Sequence, residues 1–348
     1  MTLLYFILIL GIIIFIHELG HFIFAKKAGI YCYEFSLGMG PKIWSRKSKK
    51  SETTYCLRAI PIGGFVSMAG ESIDEDKEIP KKMRMQSKTW LQRFLTIIAG
   101  PLFNFILAFI ILLVIGFCFG STEQKTYVGN AIKNYPASEQ GLQKGDRILE
   151  IDGNKVLFWD QALLKLQLIS DDKPIDFKIE RDGLIKTISI APKKELIEGS
   201  DDAYRYLFGI QAPQTKKYGF TRGISYASTK IYTMTDSMFT VIGGLFTGGV
   251  ALNNLSGPVG IYNVVGVTSK AGFENILYLI AYLSVNVGFI NLIPIPAFDG
   301  GRILFLVIEK IKGKPVSPKV ENTIHSVCFF LLIALMVIIT FNDILRLF

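Results

Sequence analysis

Residues 17–21 read His-Glu-Leu-Gly-His. On a helix, imidazoles four positions apart lie on one face, one turn apart, and can share a tetrahedral metal. The glutamate beside them can then act as a general base on water. Five such letters arise by chance in many chains, but here the setting gives them weight. The chain has three histidines, and two of them, with Glu18, interrupt the apolar run "IIIFIHELGHFIF", where an ionisable side chain is expensive unless something compensates it. The bland alternative is a pair of histidines hydrogen-bonded to a neighbouring helix.

A catalytic zinc site wants three protein ligands and one open position. The third is sought among acids at a similar depth, and the block "SVNVGFINLIPIPAFDGGRILFLVIEK" supplies one. Asp299 is the only acid between Glu274 and Glu309, and it follows Pro294 and Pro296, which interrupt the helix. Broken helices within a membrane are tolerated where they line protein or a watery cavity. The alternative for Asp299 is a helix N-cap at the membrane surface. The four cysteines, Cys32, Cys56, Cys118 and Cys328, show no C-x-x-C spacing and point to neither a disulfide framework nor a thiolate metal site.

The elements that must position these residues are membrane helices. Half of the 348 residues are hydrophobic and mean hydropathy is +0.38, too apolar for an ordinary soluble chain. A bilayer core of roughly 30 Å takes about 20 helical residues. Segments 3–25, 95–119 and 325–341 meet that length, and 275–311 forms a longer, broken span. Between the first two spans, residues 26–93 carry fourteen Lys or Arg against seven acids, which assigns that loop to the cytosol and both termini to the outside. The net charge of +9 therefore reads as a topology signal rather than a nucleic-acid surface. By the same reasoning the 17–21 motif and Asp299 both fall in the cytosolic half of the bilayer.

Segment 121–195 has soluble composition, short alternating strands, Gly turns and an amphipathic helix near 159–168. Its "PASEQGL", "GDRI" and "IDG" runs resemble a PDZ domain in the circularly permuted form of bacterial proteases, a fold that takes peptides by strand addition. Segment 196–272 reads as a linker with an interfacial amphipathic helix, in which Phe220, Ile224, Ala227, Ile231, Met234 and Met238 recur at helical steps. Residues 55–71 read as two short strands around Gly63-Gly64, a hairpin signal.

The His17–His21 motif, the run from Asn291 to Gly300 and a PDZ-like insert between spans two and three together resemble the site-2 protease family of intramembrane zinc metalloproteases. The nearest type is the bacterial regulator-of-sigma-E protease. The resemblance covers nearly the whole chain and includes "AGPLFN" (99–104), "PIGGFV" (61–66) and "SGPVG" (256–260). Phe298 stands where many members have leucine, and one PDZ domain stands where some relatives have two.

The resemblance implies a multi-pass α-helical membrane protein with four transmembrane helices, the third broken, an inserted β-rich PDZ domain outside the cell membrane, and a membrane-associated β-hairpin on the cytosolic side. Its parts would be 1–120, 121–195, 196–272 and 273–348. It implies one Zn2+ held by His17, His21 and Asp299, with Glu18 as general base and then acid. Asn291 and Asn286 are candidates to hold the substrate backbone or the developing oxyanion; ordinary interhelical hydrogen bonding is the competing reading. The implied substrates are single-span membrane proteins, such as anti-sigma factors or remnant signal peptides. Lipid and a peptide ligand of the PDZ domain would be further partners, and nucleic acid would not. A non-catalytic scaffold binding peptide ends, or a proton carrier using the buried His and Asp, are the alternatives from other classes.

Overall fold

The computed structural model describes residues 1–49, 51–71, 78–196, 204–250 and 255–345. In chain order these form α1 (Thr2–Lys27), β1 (Cys32–Lys47), β2 (Thr54–Met68), α2 (Trp90–Cys118), β3 (Asn130–Ala131), α3 (Pro136–Glu139) and β4 (Arg147–Ile151). β5 (Asn154–Lys155), α4 (Trp159–Gln167), β6 (Ile175–Arg181), β7 (Leu184–Ile190), β8 (Lys193–Leu196), β9 (Tyr204–Leu207) and β10 (Ile210–Gln211) follow. The chain continues with α5 (Phe220–Thr247), α6 (Pro258–Lys270), α7 (Phe273–Leu292), α8 (Asp299–Lys312) and α9 (Pro318–Leu345). Two units result, Met1–Ile111 with Leu252–Phe348, and Leu112–Ala251.

Four helices among the described residues are long and apolar enough to cross a membrane: Thr2–Lys27, Trp90–Cys118, Phe273–Leu292 and Val320–Leu345. Apart from its His17–His21 motif α1 is apolar on every side, so the rest of its composition marks no inward face, yet its buried residues form one stripe at three- and four-residue steps. Phe6, Ile9, Ile13, His17, Gly20, His21 and Ala25 lie on it, whereas Leu3, Leu4, Leu8 and Ile12 are exposed. Lipid gives helices no hydrophobic reason to associate, so close backbone approach matters. A side chain at Gly20 would collide with the Ala99 carbonyl of α2, and one at Gly288 of α7 would press on the Pro101 carbonyl and the Phe105 ring. The third span is broken as its prolines demand: α7 ends at Leu292, residues 293–298 form a loop, and α8 begins at Asp299. Gly300 and Gly301 let the first turn of α8 fold against that loop, since a Cβ on either would strike the backbone of 292–296.

The hairpin between α1 and α2 differs from the sequence expectation. β1 and β2 close on each other where Ser48 N–H donates to the Thr53 carbonyl at 2.9 Å, and Gly63-Gly64 lie within β2. Gly63, at φ +91°, bends the strand, and Gly64 gives it room beside α1. Residues 34–37 of β1 thereby pair with 54–57 and also with 64–67. A Gly pair signals permitted backbone, and a kink in a strand uses that permission as well as a turn does.

The second unit has a four-stranded sheet of order β5-β4-β6-β7, packed around Phe177, Ile148, Ile151, Ile179 and Trp159. Its tight turns are Asp152-Gly153 and Asp182-Gly183, all four residues at positive φ, the chemistry a two-residue hairpin selects. Buried Asp146 takes a two-pronged ion pair from Arg181, at 2.6 and 2.7 Å. The β-rich unit runs beyond residue 195, where the sequence reading ended it: β9 pairs with β8, β10 returns to β3, and Phe208 joins the core. These late strands are two to four residues long, too short to show a period of two. α5 packs on α4 through Lys230–Asp160 at 2.7 Å and Gln161–Asp236 at 2.9 Å, and on the end of α2 through Gly223 and Gly116. α6 is a helix inside what the sequence reading took as linker.

Candidate active site

His17 and His21 project from the inward stripe of α1, and both are buried at 8% exposure. Asp299 enters from the first turn of α8, positioned there by the helix break. His17 Nε2 lies 3.2 Å from His21 Nε2, and Asp299 Oδ2 lies 3.2 Å from each. The three atoms make an equilateral triangle. Zinc–ligand bonds of about 2.0–2.1 Å at tetrahedral angles separate neighbouring ligand atoms by about 3.3 Å, so the triangle has the size of one face of a zinc tetrahedron. Asp299 Oδ2 is buried and makes no hydrogen bond, an acceptor left over in the protein alone and accounted for by a cation. The donor set fits zinc, which favours imidazole nitrogen and carboxylate oxygen.

The tautomer of His21 follows from its other nitrogen. Nδ1 stands 2.8 Å from the Thr96 carbonyl of α2; a carbonyl can only accept, so Nδ1 carries the proton and Nε2 presents its lone pair to the triangle. Gly100 of α2 lies against the same ring, where a Cβ would overlap it. His17 Nδ1 faces the Asn104 side chain of α2 at 3.3 Å.

The triangle opens on a cavity of about 330 Å3 whose lining includes Glu18, Gly64, Phe65, Asn291, Phe298 and Arg302. Gly64 sits so close to α1 that an added Cβ would be 3.2 Å from Glu18 Cγ. Residues 64–67 have one ladder partner among the described residues, 34–37, so β2 presents an edge beside Glu18. Arg302 pairs with Glu71 at the cavity margin.

Five of the six residues singled out from sequence therefore line one cavity. Asn286 does not: its Oδ1 is buried without a partner, away from the cavity lining. Asn291 lines it, with Nδ2 donating to its own helix at Val287 O, 2.9 Å, which leaves Oδ1 outside that bond. No ionisable residue marks α2 as part of the site between Arg93 and Cys118. "AGPLFN" was the available signal, but a ligand-orienting carbonyl such as that of Thr96 leaves no mark in side-chain chemistry.

The model of peptidase family M50 matches residues 5–335. The chain belongs to peptidase family M50. Among its relatives are the zinc metalloprotease RasP of Bacillus licheniformis, 35% identical, and the regulator of sigma-W protease RasP of Bacillus subtilis, 33% identical. A putative zinc metalloprotease of Staphylococcus aureus is 34% identical. Each alignment covers 100% of this chain and 99% of the relative. This M50 chain is thus a multi-pass membrane zinc metalloprotease, as the sequence resemblance implied.

Proposed function

We propose that this M50 peptidase cuts peptide bonds within or near the membrane segments of single-span proteins, with His17, His21 and Asp299 as zinc ligands and Glu18 as the proton-transferring group. The observation that carries the reading is the 3.2 Å triangle of ligand atoms opening on a cavity that also holds Glu18. Zinc held there supplies Lewis acidity toward the scissile carbonyl and lets water be deprotonated near neutral pH. Glu18 accepts the proton from water and returns it to the leaving amine. Asn291, on the cavity wall, orients the substrate backbone or the developing oxyanion.

A helical substrate hides its carbonyls in its own hydrogen bonds and must be unwound before attack. The edge offered by residues 64–67 beside Glu18 supports strand addition as the way the unwound segment is held. The charge of the 26–93 loop supports a cytosolic hairpin, extracytosolic termini and an extracytosolic β-rich unit. A PDZ role for that unit is supported by a groove of about 840 Å3 between α4 and residues 204–210, with Leu163, Leu166, Tyr206 and Phe208 among its lining. Such a groove suits an extended peptide. The Bacillus subtilis relative, named a regulator of sigma-W protease, supports anti-sigma factors as one substrate class beside remnant signal peptides.

The test uses purified wild type, Glu18→Gln and His17→Ala with a model single-span peptide. Wild type should hold one zinc per chain and cut. Glu18→Gln should keep zinc and slow by about 10²–10⁴-fold, and His17→Ala should lose zinc. Cleavage by Glu18→Gln at the wild-type rate would overturn the assignment.

A further inference from the structure

His21 has a carbonyl to fix its tautomer, whereas His17 has the Asn104 side chain. Asn104 lies on α2 and is fully buried at 0% exposure. Its main-chain carbonyl accepts a 2.9 Å hydrogen bond from Ser284 Oγ of α7, and its side-chain amide faces His17 Nδ1 at 3.3 Å. As placed, Nδ2 is the end near the imidazole, and Oδ1 is buried with no partner. That arrangement makes the Asn104 amide donate to Nδ1, which puts the His17 proton on Nε2, the atom that completes the triangle. An Nε2–H cannot bind a metal. The two ends of an amide have nearly the same shape and are assigned from their hydrogen bonds, so half a turn about the last side-chain bond exchanges them. Oδ1 then gains a donor, Nδ1–H, and Nε2 is left with its lone pair in the triangle.

We infer that Asn104 is a positioning residue for the metal site: its Oδ1 accepts the Nδ1 proton of His17 and so fixes the tautomer whose Nε2 binds zinc. The inference rests on the ligand assignment above. α2 then orients both histidines of α1, His21 through a main-chain oxygen and His17 through a side-chain oxygen eight residues, just over two turns, further on. Partners that orient a metal-bound imidazole are typically worth about 10–100-fold in metal affinity. The acceptor is supplied by a neutral side chain: a carboxylate would serve as well chemically but adds a charge inside the membrane.

The experiment measures zinc retention against a graded chelator for wild type, Asn104→Leu, Asn104→Asp and His17→Ala in detergent. Leucine fills the volume without an acceptor; aspartate only accepts, so it restores the one property at issue. The expected result is a loss of zinc affinity of about 10–100-fold in Asn104→Leu and near wild-type retention in Asn104→Asp. Should Asn104→Leu not give monodisperse protein, Asn104→Ala is read in its place. Equal retention in the leucine variant and wild type, or an aspartate variant no better than the leucine one, overturns the inference. His17→Ala separates the two readings. If it loses zinc while Asn104→Leu does not, only the role of Asn104 fails; if it keeps zinc, the ligand assignment itself fails.

Discussion

Gly100 of α2 lies directly against the imidazole of His21 on α1: a Cβ at Gly100 would fall on Nε2, Cε1 and Cδ2 of the ring. The absence of a side chain at one position thus sets where a proposed metal-binding nitrogen stands at another. Alanine is a better helix former than glycine, so Gly100→Ala should leave α2 intact while pushing His21 out of the triangle. The expected outcome is unchanged helical circular dichroism, zinc affinity at least about 10-fold lower, the scale of a lost orienting contact, and a matching loss of cleavage. Wild-type zinc retention in Gly100→Ala would show that the ring can move aside without cost.

Gly64 stands in the same relation to Glu18. A Cβ there would be 2.9 Å from the Ser36 carbonyl, 3.1 Å from Ile14 Cγ2 and 3.2 Å from Glu18 Cγ. Gly64→Val should therefore displace the carboxylate proposed to transfer the proton and spare the proposed metal ligands. We expect zinc content to stay at the wild-type level while kcat falls by about 10²-fold or more, the scale at which misplaced general bases cost catalysis. A loss of zinc instead would mean that β2 supports the ligand triangle as well.

Asp343 of α9 is buried at 4% exposure and accepts the backbone N–H of Gly260 in the first turn of α6 at 2.8 Å. It caps a helix from another span, and Gly257 and Gly260 leave room for its carboxyl group. Removing the acceptor strands a donor away from water, so Asp343→Ala should destabilise by about 0.5–2 kcal/mol, as lost N-caps do. Asp343→Asn, which keeps an acceptor, should sit near wild type. Thermal unfolding in detergent of the two variants checks the order.

Cys32 is fully buried, and burial pushes its thiol up to about 12; burial also raises the Cys56 thiol. A thiol raised in this way stays protonated well above neutrality, and only the thiolate reacts. Alkylation of the folded protein at about pH 8–9 should therefore spare Cys32 and Cys56 and modify Cys118, which is exposed. Peptide mass mapping reads the outcome, and early modification of Cys32 would show that the strand carrying it opens readily.

Much of the site was legible in the residues themselves. Histidines four apart on a helix share a face whatever surrounds them, two prolines must break the third span, and one acid lay within reach. Local stereochemistry fixes the first two, and the charge pattern of the loops sets the depth of the third. The Asp-Gly turns of the β-rich unit were equally local, since positive φ at two successive residues leaves little other choice. The Gly63-Gly64 hairpin shows the limit of the same reasoning: glycine permits an unusual backbone but does not say whether a turn or a kink uses it. Asn286 shows another limit, because a position within a span does not reveal which side of the helix faces the cavity.

By itself, then, the sequence determined which groups are the candidates to bind metal and move a proton, the order of the spans and where one of them breaks. These depend on residue chemistry and short-range geometry. Only the tertiary structure decided which apolar residues of α1 join the histidines on its inward stripe, and that α2 supplies the Thr96 carbonyl, the Asn104 amide and the empty space at Gly100 beside the histidine rings. In a membrane every face of a helix is apolar, so periodicity carries no sidedness, and a main-chain oxygen or a missing Cβ acquires a role only from the neighbour packed against it.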